Sequence, residues 1–265
     1  MIKISVPYVG GYGYVWMRGL FAILGLLPYI IYKYIRKSYS REAIFGGLYA
    51  GIAYMLGLWL QGIGTALTTA SNSAFITGLN VLFVHIYVAV FEKKYTKYLF
   101  TSIVLSIPGL YIMTDPTAGI NIGDLLVLVG SVMWAAQVII VSKYSHNDPL
   151  EFTFYEITPS LLMFIPWFLS NEPLPKPEIL LILLYLGIIC SNAAFTLQVH
   201  GQRWVSPATA ATVFLLEPPF ASIFAFLILG ETMNPQQLIG GALILVGLFM
   251  AIRNEIYVKT PTTNI

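Results

Sequence analysis

The feature that most constrains the fold is a succession of apolar stretches, each about long enough to cross a lipid bilayer. A membrane-spanning helix needs about 20 mainly apolar residues. Such stretches recur along almost the whole sequence, and short connections with charged residues, Pro, Asn or Gly separate them. Hydrophobic residues make up 57% of the chain and charged residues only 10%, whereas soluble domains carry about 25% charged residues. The sequence therefore predicts an all-α polytopic membrane helix bundle.

About nine such stretches fit this length, and we label the predicted spans A to I. They cover Tyr14–Tyr34, Ala43–Gly64, Ala70–Phe91, Tyr98–Thr114, Asn121–Ser142, Phe152–Ser170, Glu178–Gln198, Pro207–Leu229 and Gln236–Ile256. Residues 1–13 precede span A and contain a cluster of glycines rather than a continuous apolar core. We therefore expect neither a cleavable signal peptide nor a further span in this segment.

The distribution of basic residues predicts the orientation, because short loops rich in Lys and Arg stay in the cytoplasm. Eleven of the 14 basic residues lie in the A–B, C–D, E–F and G–H connections or in the tail: Lys33, Arg36, Lys37, Arg41, Lys93, Lys94, Lys97, Lys143, Arg203, Arg253 and Lys259. We expect a multi-pass protein of the cell membrane with a cytoplasmic C-terminus and its N-terminus outside. The net charge of +2 gives no reason to expect a nucleic-acid partner.

The chain also contains an internal repeat. A shift of 137 residues aligns Leu60–Phe83 with Leu197–Phe220, and six of the 24 positions are identical. On both sides of this stretch a shift of 138 continues the alignment, for example of Gly109 with Gly247. Spans A to D thereby become the partners of spans F to I.

Five helices separate each span from its partner, and an odd number of crossings turns the second copy upside down in the bilayer. Inverted repeats of this kind are the common build of secondary transporters. Span E has no partner, so we predict a four-helix remnant over residues 14–114 that lacks its first helix. A complete five-helix unit is predicted over residues 121–256.

Two segments resemble a known family. Leu215–Glu231 (LLEPPFASIFAFLILGE) and Gln236–Leu248 (QQLIGGALILVGL) are similar to the closing motif of the EamA-type domain in the drug/metabolite transporter superfamily. Thr77–Lys94 repeats this motif more loosely, and Arg18 matches the basic residue that often opens the second helix of that domain. The resemblance implies ten helices in two five-helix repeats and the movement of small metabolites.

The chain departs from this pattern in two respects. It lacks the first helix, so either the protein starts upstream of Met1 or it is a nine-span variant whose cavity lacks one wall. In addition, Asn80 and Val81 stand where the second half has Glu217 and Pro218, which predicts that the two halves are chemically unequal.

Glu217 is the leading candidate for a functional residue. It lies 11 residues after Ser206, or about 16 Å along a helix, which is near the midplane of the bilayer. A carboxyl group at that depth must be neutral, paired or open to a cavity. It either contacts a solute or carries protons, or it locks neighbouring helices through one hydrogen bond.

Other polar and aromatic residues complete a candidate solute-binding cavity. The set consists of Gln61, Asn80, His85, Trp134, Gln137, Asn192, Gln198 and Glu217. Such residues suit an organic solute, because apolar surfaces supply the binding area and a few polar groups fix its orientation. The alternative for each amide is a hydrogen bond between helices, and for His85 a neutral packing role.

Two charged residues and a pair of glycines receive structural interpretations. Arg18 and Glu156 occupy matched positions of the repeat, and we expect both at the edges of the bilayer, near opposite faces. Gly47 and Gly51 form a G-x-x-x-G step that permits close helix contact, either within the bundle or in a homodimer. The sequence does not otherwise indicate a dimer.

The favoured function is a secondary transporter, either an exporter or a facilitator, for a small organic metabolite. A non-transporting assembly subunit is the first alternative, because a cavity without one wall would need a partner. An integral-membrane enzyme acting on lipids is the second, although the sequence has no paired acidic motif, histidine cluster, P-loop or dinucleotide fingerprint. We expect no enzymatic activity, no cofactor and no metal site, and the expected partners are a small solute and the bilayer.

Overall fold

The computed structural model describes residues 1–91, 93, 97–114, 121–170 and 174–259. All regular elements within these ranges are helical, which confirms the all-α prediction. The helices of the first half are α1 (Ile2–Ile35), α2 (Arg41–Leu67), α3 (Ala70–Gly78), α4 (Asn80–Phe91) and α5 (Lys97–Thr114). Those of the second half are α6 (Ile122–Tyr144), α7 (Pro149–Ile157), α8 (Phe164–Ser170), α9 (Pro177–Tyr185), α10 (Ala194–Gln202), α11 (Pro207–Val213), α12 (Glu217–Leu229) and α13 (Pro235–Lys259).

Six helical stretches in the described ranges are long and apolar enough to cross a membrane, which confirms a polytopic helix bundle. They are Ile2–Ile35, Arg41–Leu67, Ala70–Phe91, Ile122–Tyr144, Pro149–Ser170 and Pro177–Gln202. Shorter apolar helices occupy parts of the predicted spans D, H and I, at Phe100–Met113, Glu217–Leu229 and Pro235–Met250. The count of nine spans stays a prediction. Lys94 and residues 115–120 lie outside the described residues.

Local sequence signals explain where several helices begin and end. The Ser40 hydroxyl accepts a hydrogen bond from the Ala43 amide at the start of α2, and the Asp148 carboxylate accepts one from the Glu151 amide at the start of α7. Such side-chain caps satisfy amides that have no partner within the helix. At the end of α12, Gly230 adopts the left-handed conformation with φ 67°, which glycine tolerates without strain.

Helix α1 begins at Ile2, twelve residues before the predicted start of span A. The helix runs through the glycine-rich segment that precedes the predicted span A, and only Gly10 leaves the helical region, with φ 67° and ψ 174°. The preceding turns pack into the bundle through Val6 and Val9. Gly11 remains helical and lies so close to the Ile63 side chain that a Cβ there would be 2.5 Å from it. The glycines therefore permit close packing and do not exclude a helix.

Four of the predicted spans are interrupted near their middle. Span C divides at Leu79 between α3 and α4, and span F contains a 3₁₀ segment at Thr158–Met163. Span G contains a π-helical segment at Leu186–Ala193, and span H a 3₁₀ segment at Phe214–Leu216. By contrast, α2, α5, α6 and α13 are continuous.

The continuous helices pack in two pairs, α2 with α6 and α5 with α13. In addition, α2 crosses α7 closely, because a Cβ at Gly47 would lie 2.8 Å from the Phe152 carbonyl oxygen and one at Gly51 would lie 2.7 Å from Pro159. The G-x-x-x-G step is therefore used inside the chain, as one of the two interpretations predicts.

The connections between helices meet in two groups. In the first group, the A–B and E–F connections are linked by the Lys33 ammonium, whose Nζ lies 2.5 Å from Glu151 and 3.5 Å from Asp148. Arg203 of the G–H connection donates hydrogen bonds to the carbonyl oxygens of Ser145 and Asn147. Lys33 itself lies in the last turn of α1 and is buried, so it belongs to the helix rather than to the A–B loop. Helix α1 ends at Ile35, one residue after the predicted end of span A.

The second group joins the N-terminal segment to the B–C, D–E and H–I connections. The Lys3 ammonium lies 2.6 Å from Glu231, whose carboxylate also accepts a hydrogen bond from the Ala70 amide. The Thr68 hydroxyl donates a hydrogen bond of 2.6 Å to Asp124. The basic-residue distribution predicts the same two groups of connections.

Candidate functional site

A cavity of about 390 Å³ lies where helices of both halves meet. Its walls come from α1, α2, α3, α4, α6, the π-helical segment, α10, the 3₁₀ segment Phe214–Leu216 and the start of α12. Six of the eight residues predicted from the sequence line it: Gln61, Asn80, Trp134, Gln137, Gln198 and Glu217. The structure thus brings most of the predicted set to one place.

The other two predicted residues lie outside this cavity wall. His85 is almost fully buried, and its Nδ1 lies 2.8 Å from the Val81 carbonyl oxygen one turn earlier. The Asn192 side chain donates a hydrogen bond of 2.8 Å to the Ala22 carbonyl oxygen. Asn192 therefore joins the π-helical segment to α1, and both residues match the packing alternative rather than the cavity wall.

From their positions near span ends, Arg18 and Glu156 were expected at the edges of the bilayer. Both instead lie inside the bundle. Arg18 is 5% exposed and lines the cavity, and Glu156 is 0% exposed. The expectation failed because α1 begins earlier than span A, and because α7 lies against α2 along its length. The signal that marked them was their matched position in the repeat.

A chain of hydrogen-bonded side chains borders one side of the cavity. The Gln137 amide donates to the Glu156 carboxyl at 2.6 Å and accepts a hydrogen bond of 3.1 Å from Gln198. The Gln198 amide also donates to Gln202, which in turn donates to the Ser142 hydroxyl at 2.7 Å. These bonds join α6, α7 and α10 on the side of the cavity that faces the first group of connections.

Aromatic rings form the apolar part of the wall. Trp134 and Phe195 both line the cavity and stack with ring centroids 5.9 Å apart. The buried Tyr54 ring packs edge-on against both, at 5.7 Å from Trp134 and 4.8 Å from Phe195. Edge-on and stacked arrangements are the favoured geometries for aromatic pairs. The cavity therefore offers a rigid aromatic surface beside its amides.

A second cavity of about 200 Å³ adjoins the first. Both are lined by Ile2, Gln61 and Glu217, and the second extends to Lys3 and Ala70 at the other group of connections. The Glu217 side chain is exposed to this space. A mainly apolar path thus leads from Glu217 to one end of the bundle.

Asp148 lies outside the membrane-spanning segments and has a perturbed pKa. Partial burial alone would raise the pKa of Asp148. Hydrogen bonds from the Tyr29 hydroxyl and the Glu151 amide, together with the nearby Lys33 ammonium, outweigh burial and hold the pKa of Asp148 below its ordinary value. The charged form of Asp148 is thereby stabilised in the folded protein.

Comparison with known proteins decides the family. Residues 1–115 and 121–253 match the EamA-like transporter family. The chain belongs to this family. A relative from Archaeoglobus fulgidus, described as an uncharacterized transporter, is 27% identical over 258 residues, which cover 94% of this chain and 79% of the relative. The uncharacterized transporter YyaM of Bacillus subtilis is 28% identical over 261 residues, which cover 89% of this chain and 82% of YyaM.

A solved structure shares the fold of this EamA-family chain. It is described only as a crystal structure of a protein, with a TM-score of 0.64 at 13% sequence identity. The alignment covers 94% of this chain and 90% of the solved chain. The family, its transporter relatives and the apolar helices together establish a multi-pass, membrane-embedded protein of a transporter family.

Proposed function

We propose that this chain is a secondary transporter, an exporter or facilitator, of a small organic solute, and that it has no enzymatic activity. It works by alternating access between two inverted repeats, residues 14–114 and 121–256. It lies in the cell membrane with its C-terminus in the cytoplasm. The observation that carries this proposal is the cavity of about 390 Å³, whose walls combine matched residues from both repeats.

Reciprocal contacts between α5 and α13 support the repeat. A Cβ built on Gly109 would lie 2.9 Å from the Gly240 carbonyl oxygen. A Cβ built on Gly247 would lie 2.9 Å from the Ser102 carbonyl oxygen. The shift of 138 that relates Gly109 to Gly247 also relates Ser102 to Gly240. The same contact therefore occurs twice with the partners exchanged, as a two-fold axis requires.

A second contact supports the position of this axis. The Tyr54 hydroxyl and the Ser191 hydroxyl are 2.8 Å apart, and the two residues are separated by 137 positions in the chain. Extending the shift of 137 from the adjoining stretch Leu60–Phe83 by six residues towards the N-terminus pairs Tyr54 with Ser191, so on this alignment a residue touches its own counterpart. Two equivalent residues can meet only near the axis that relates them. Tyr54 and Ser191 therefore lie where the two repeats meet, beside the aromatic wall of the cavity.

The cavity contains matched pairs from the two repeats. Gln61 matches Gln198, and Asn80 matches Glu217, and all four side chains line it. Transporters built from inverted repeats hold their substrates at the interface between the repeats, near the middle of the bilayer. The inequality of Asn80 and Glu217 gives the cavity one acidic wall.

The two sides of the cavity differ in this conformation. The second cavity leads from Glu217 towards Lys3 and Ala70, whereas the Gln198–Gln202 hydrogen bonds border the opposite side. In the proposed orientation, the path leads to the outside and the bordered side faces the cytoplasm. An outward-facing arrangement of an alternating-access transporter has this form.

Metabolite profiling tests the proposed function. Cells with the protein, without it, and with the Glu217→Gln variant are compared for solutes inside and outside the cell. We expect at least one organic solute to redistribute with the wild-type protein and less so with Glu217→Gln. Glu178→Gln is the matched control, because Glu178 is exposed at the start of α9. No difference in any solute under any growth condition would argue for the assembly-subunit alternative.

Reporter fusions test the topology separately. A reporter at Met1 and another at Ile265 should lie on opposite sides of the membrane, since nine spans are an odd number. Finding both ends in the cytoplasm would contradict the nine-span arrangement and leave the transport proposal to the profiling experiment.

A further inference from the structure

Arg18 is a buried cation in the wall of the cavity. It is 5% exposed, and it lines the cavity about halfway along α1. Its Nε donates a hydrogen bond of 2.8 Å to the Ser191 hydroxyl, and its Nη1 donates one of 2.6 Å to the Tyr14 hydroxyl. Tyr14 and Ser191 are themselves fully buried. The guanidinium is therefore held in place by two neutral groups.

No carboxylate in the described part of the chain forms an ion pair with Arg18. Lys33, a second buried cation, differs in this respect because it contacts both Glu151 and Asp148. A buried charge is costly unless it is paired, and the cost amounts to several kcal/mol per ion even after relaxation. The contrast indicates that the counter-charge for Arg18 is not a described side chain of this protein.

The surroundings of Arg18 are closely packed. The π-helical segment Leu186–Ala193 packs directly on α1, because a Cβ at Gly187 would lie 2.8 Å from the Arg18 carbonyl oxygen. Asn192 ties the same segment to Ala22. The Tyr54 hydroxyl contacts Ser191 from the other side. π-helical turns occur frequently at functional sites, and this one orients the partner of the guanidinium.

The donor geometry of Arg18 leaves capacity for a ligand. A guanidinium has five N–H donors, and the two described hydrogen bonds use two of them. The planar group can present two parallel N–H donors to a carboxylate, which is the strongest and most specific pairing that arginine makes. The Trp134 and Phe195 rings line the same cavity and supply the apolar surface that small-molecule sites need.

We propose that Arg18 binds the carboxylate of the transported solute, and that the apolar body of this solute lies against Trp134 and Phe195. The substrate class is thus an organic carboxylate with an apolar or aromatic body. This inference rests on the proposed transport function, and it identifies the chemical group that the cavity selects. The bound carboxylate supplies the counter-charge that the described residues do not provide.

Three probes with a common phenyl body separate charge from shape: phenylacetate, 2-phenylethanol and phenethylamine. Binding to the detergent-purified full chain is measured by equilibrium dialysis of the radiolabelled probes. We expect the wild type to bind phenylacetate about 10- to 100-fold more tightly than the alcohol, because the binding free energy of a hydrogen bond between charged groups corresponds to a ratio of dissociation constants of about that size. Equal binding of the acid and the alcohol, or tighter binding of the amine, would overturn the proposal.

Variants assign the selectivity to Arg18. Arg18→Gln should abolish the preference for phenylacetate, and Arg18→Lys should keep part of it because it keeps the charge. Tyr14→Phe is the matched control, because it removes one hydrogen bond of the guanidinium and leaves its charge. A variant Arg18→Gln that folds and still prefers the acid would contradict the proposal.

A measurement on the wild type alone covers the case in which the Arg18 variants fail to fold. Cys190 is the single cysteine and lines the same cavity. Phenylacetate should slow the reaction of Cys190 with a thiol reagent more than equal concentrations of 2-phenylethanol do. Equal protection by both probes would count against Arg18 as the binding group.

Flux measurements keep this inference separate from the proposed function. Vesicles that transport the amine or the alcohol but discriminate against the acid would refute the carboxylate site and support transport. Selective binding of phenylacetate, combined with metabolite profiles that never change, would support the site and refute transport.

Discussion

The seam between α5 and α13 allows a quantitative test of the packing. At Gly240 of α13, an added Cβ would lie 2.5 Å from the Met113 amide nitrogen and 2.7 Å from the Gly109 carbonyl oxygen. Both neighbouring atoms belong to the backbone of α5, so no side chain can rotate away. The substitution Gly240→Ala therefore forces the two helices apart by roughly 1 Å before an ordinary contact distance is reached.

Two opposing terms set the size of the effect. Overpacking of this kind costs about 1–3 kcal/mol, whereas replacing glycine by alanine within a helix recovers about 0.5–1 kcal/mol. We expect a net loss of about 0.5–2 kcal/mol for Gly240→Ala. For a chain of this size, that loss corresponds to a fall in the melting midpoint of a few degrees, at about 2–4 °C per kcal/mol.

The assay is the fraction of detergent-purified protein that stays monodisperse after heating to a series of temperatures. The matched control is Gly201→Ala in α10, because a Cβ there would meet no atom within 4 Å. That variant should melt at the wild-type temperature or slightly above it, since only the gain in helix propensity remains. Equal midpoints for the two alanine variants would refute the close approach of α5 and α13.

Three further predictions concern other parts of the bundle. Tyr54→Phe and Ser191→Ala should each lower the free energy of unfolding by about 0.5–1.5 kcal/mol. The double variant should lower it by less than the sum of the two, because both substitutions remove the same hydrogen bond, and additive shifts of the melting midpoint would contradict this contact. The pKa of Asp148 is lowered in the folded protein, so its carboxylate stabilises the fold above its ordinary pKa, and the wild type should lose this stabilisation as the pH falls below about 4. Melting midpoints measured between pH 3 and 7 should show less of this loss in Asp148→Asn than in the wild type. Gly230→Ala should cost about 1 kcal/mol, since φ is 67° there, and a midpoint equal to that of the wild type would argue against the left-handed turn.

Much of the architecture could be predicted from the sequence. Spans B and E were predicted within three residues of α2 and α6 at either end, because charged or capping residues stand next to uniformly apolar runs. Polar residues within apolar spans were singled out as candidates, and four of them, Gln61, Asn80, Gln198 and Glu217, line one cavity. Apolar patterns are properties of long stretches, so a single sequence reveals them well.

Features that depend on neighbouring helices could not be predicted in this way. The burial of Arg18 and Glu156 follows from how α1 and α7 pack, whereas their positions near span ends had indicated exposed residues at the edges of the bilayer. The start of α1 at Ile2 was missed because a glycine cluster indicates a break in an isolated helix, whereas here only Gly10 departs from helical geometry. The π-helical segment at Leu186–Ala193 has no sequence signature that we recognise.

The division between continuous and interrupted helices determines where the bundle can deform. Bending stiffness is high in α2, α6 and α13, which are continuous helices without an internal proline, and it is lower at Pro108 of α5 and at the breaks in spans C, F, G and H. Each closely packed pair, α2 with α6 and α5 with α13, joins a helix of the first half to one of the second. Neither half can therefore rotate as a block without shearing both seams. A change of access must instead bend each half at its own breaks, so spin labels across α2 and α6 should keep their separation while labels across the break in span G should not.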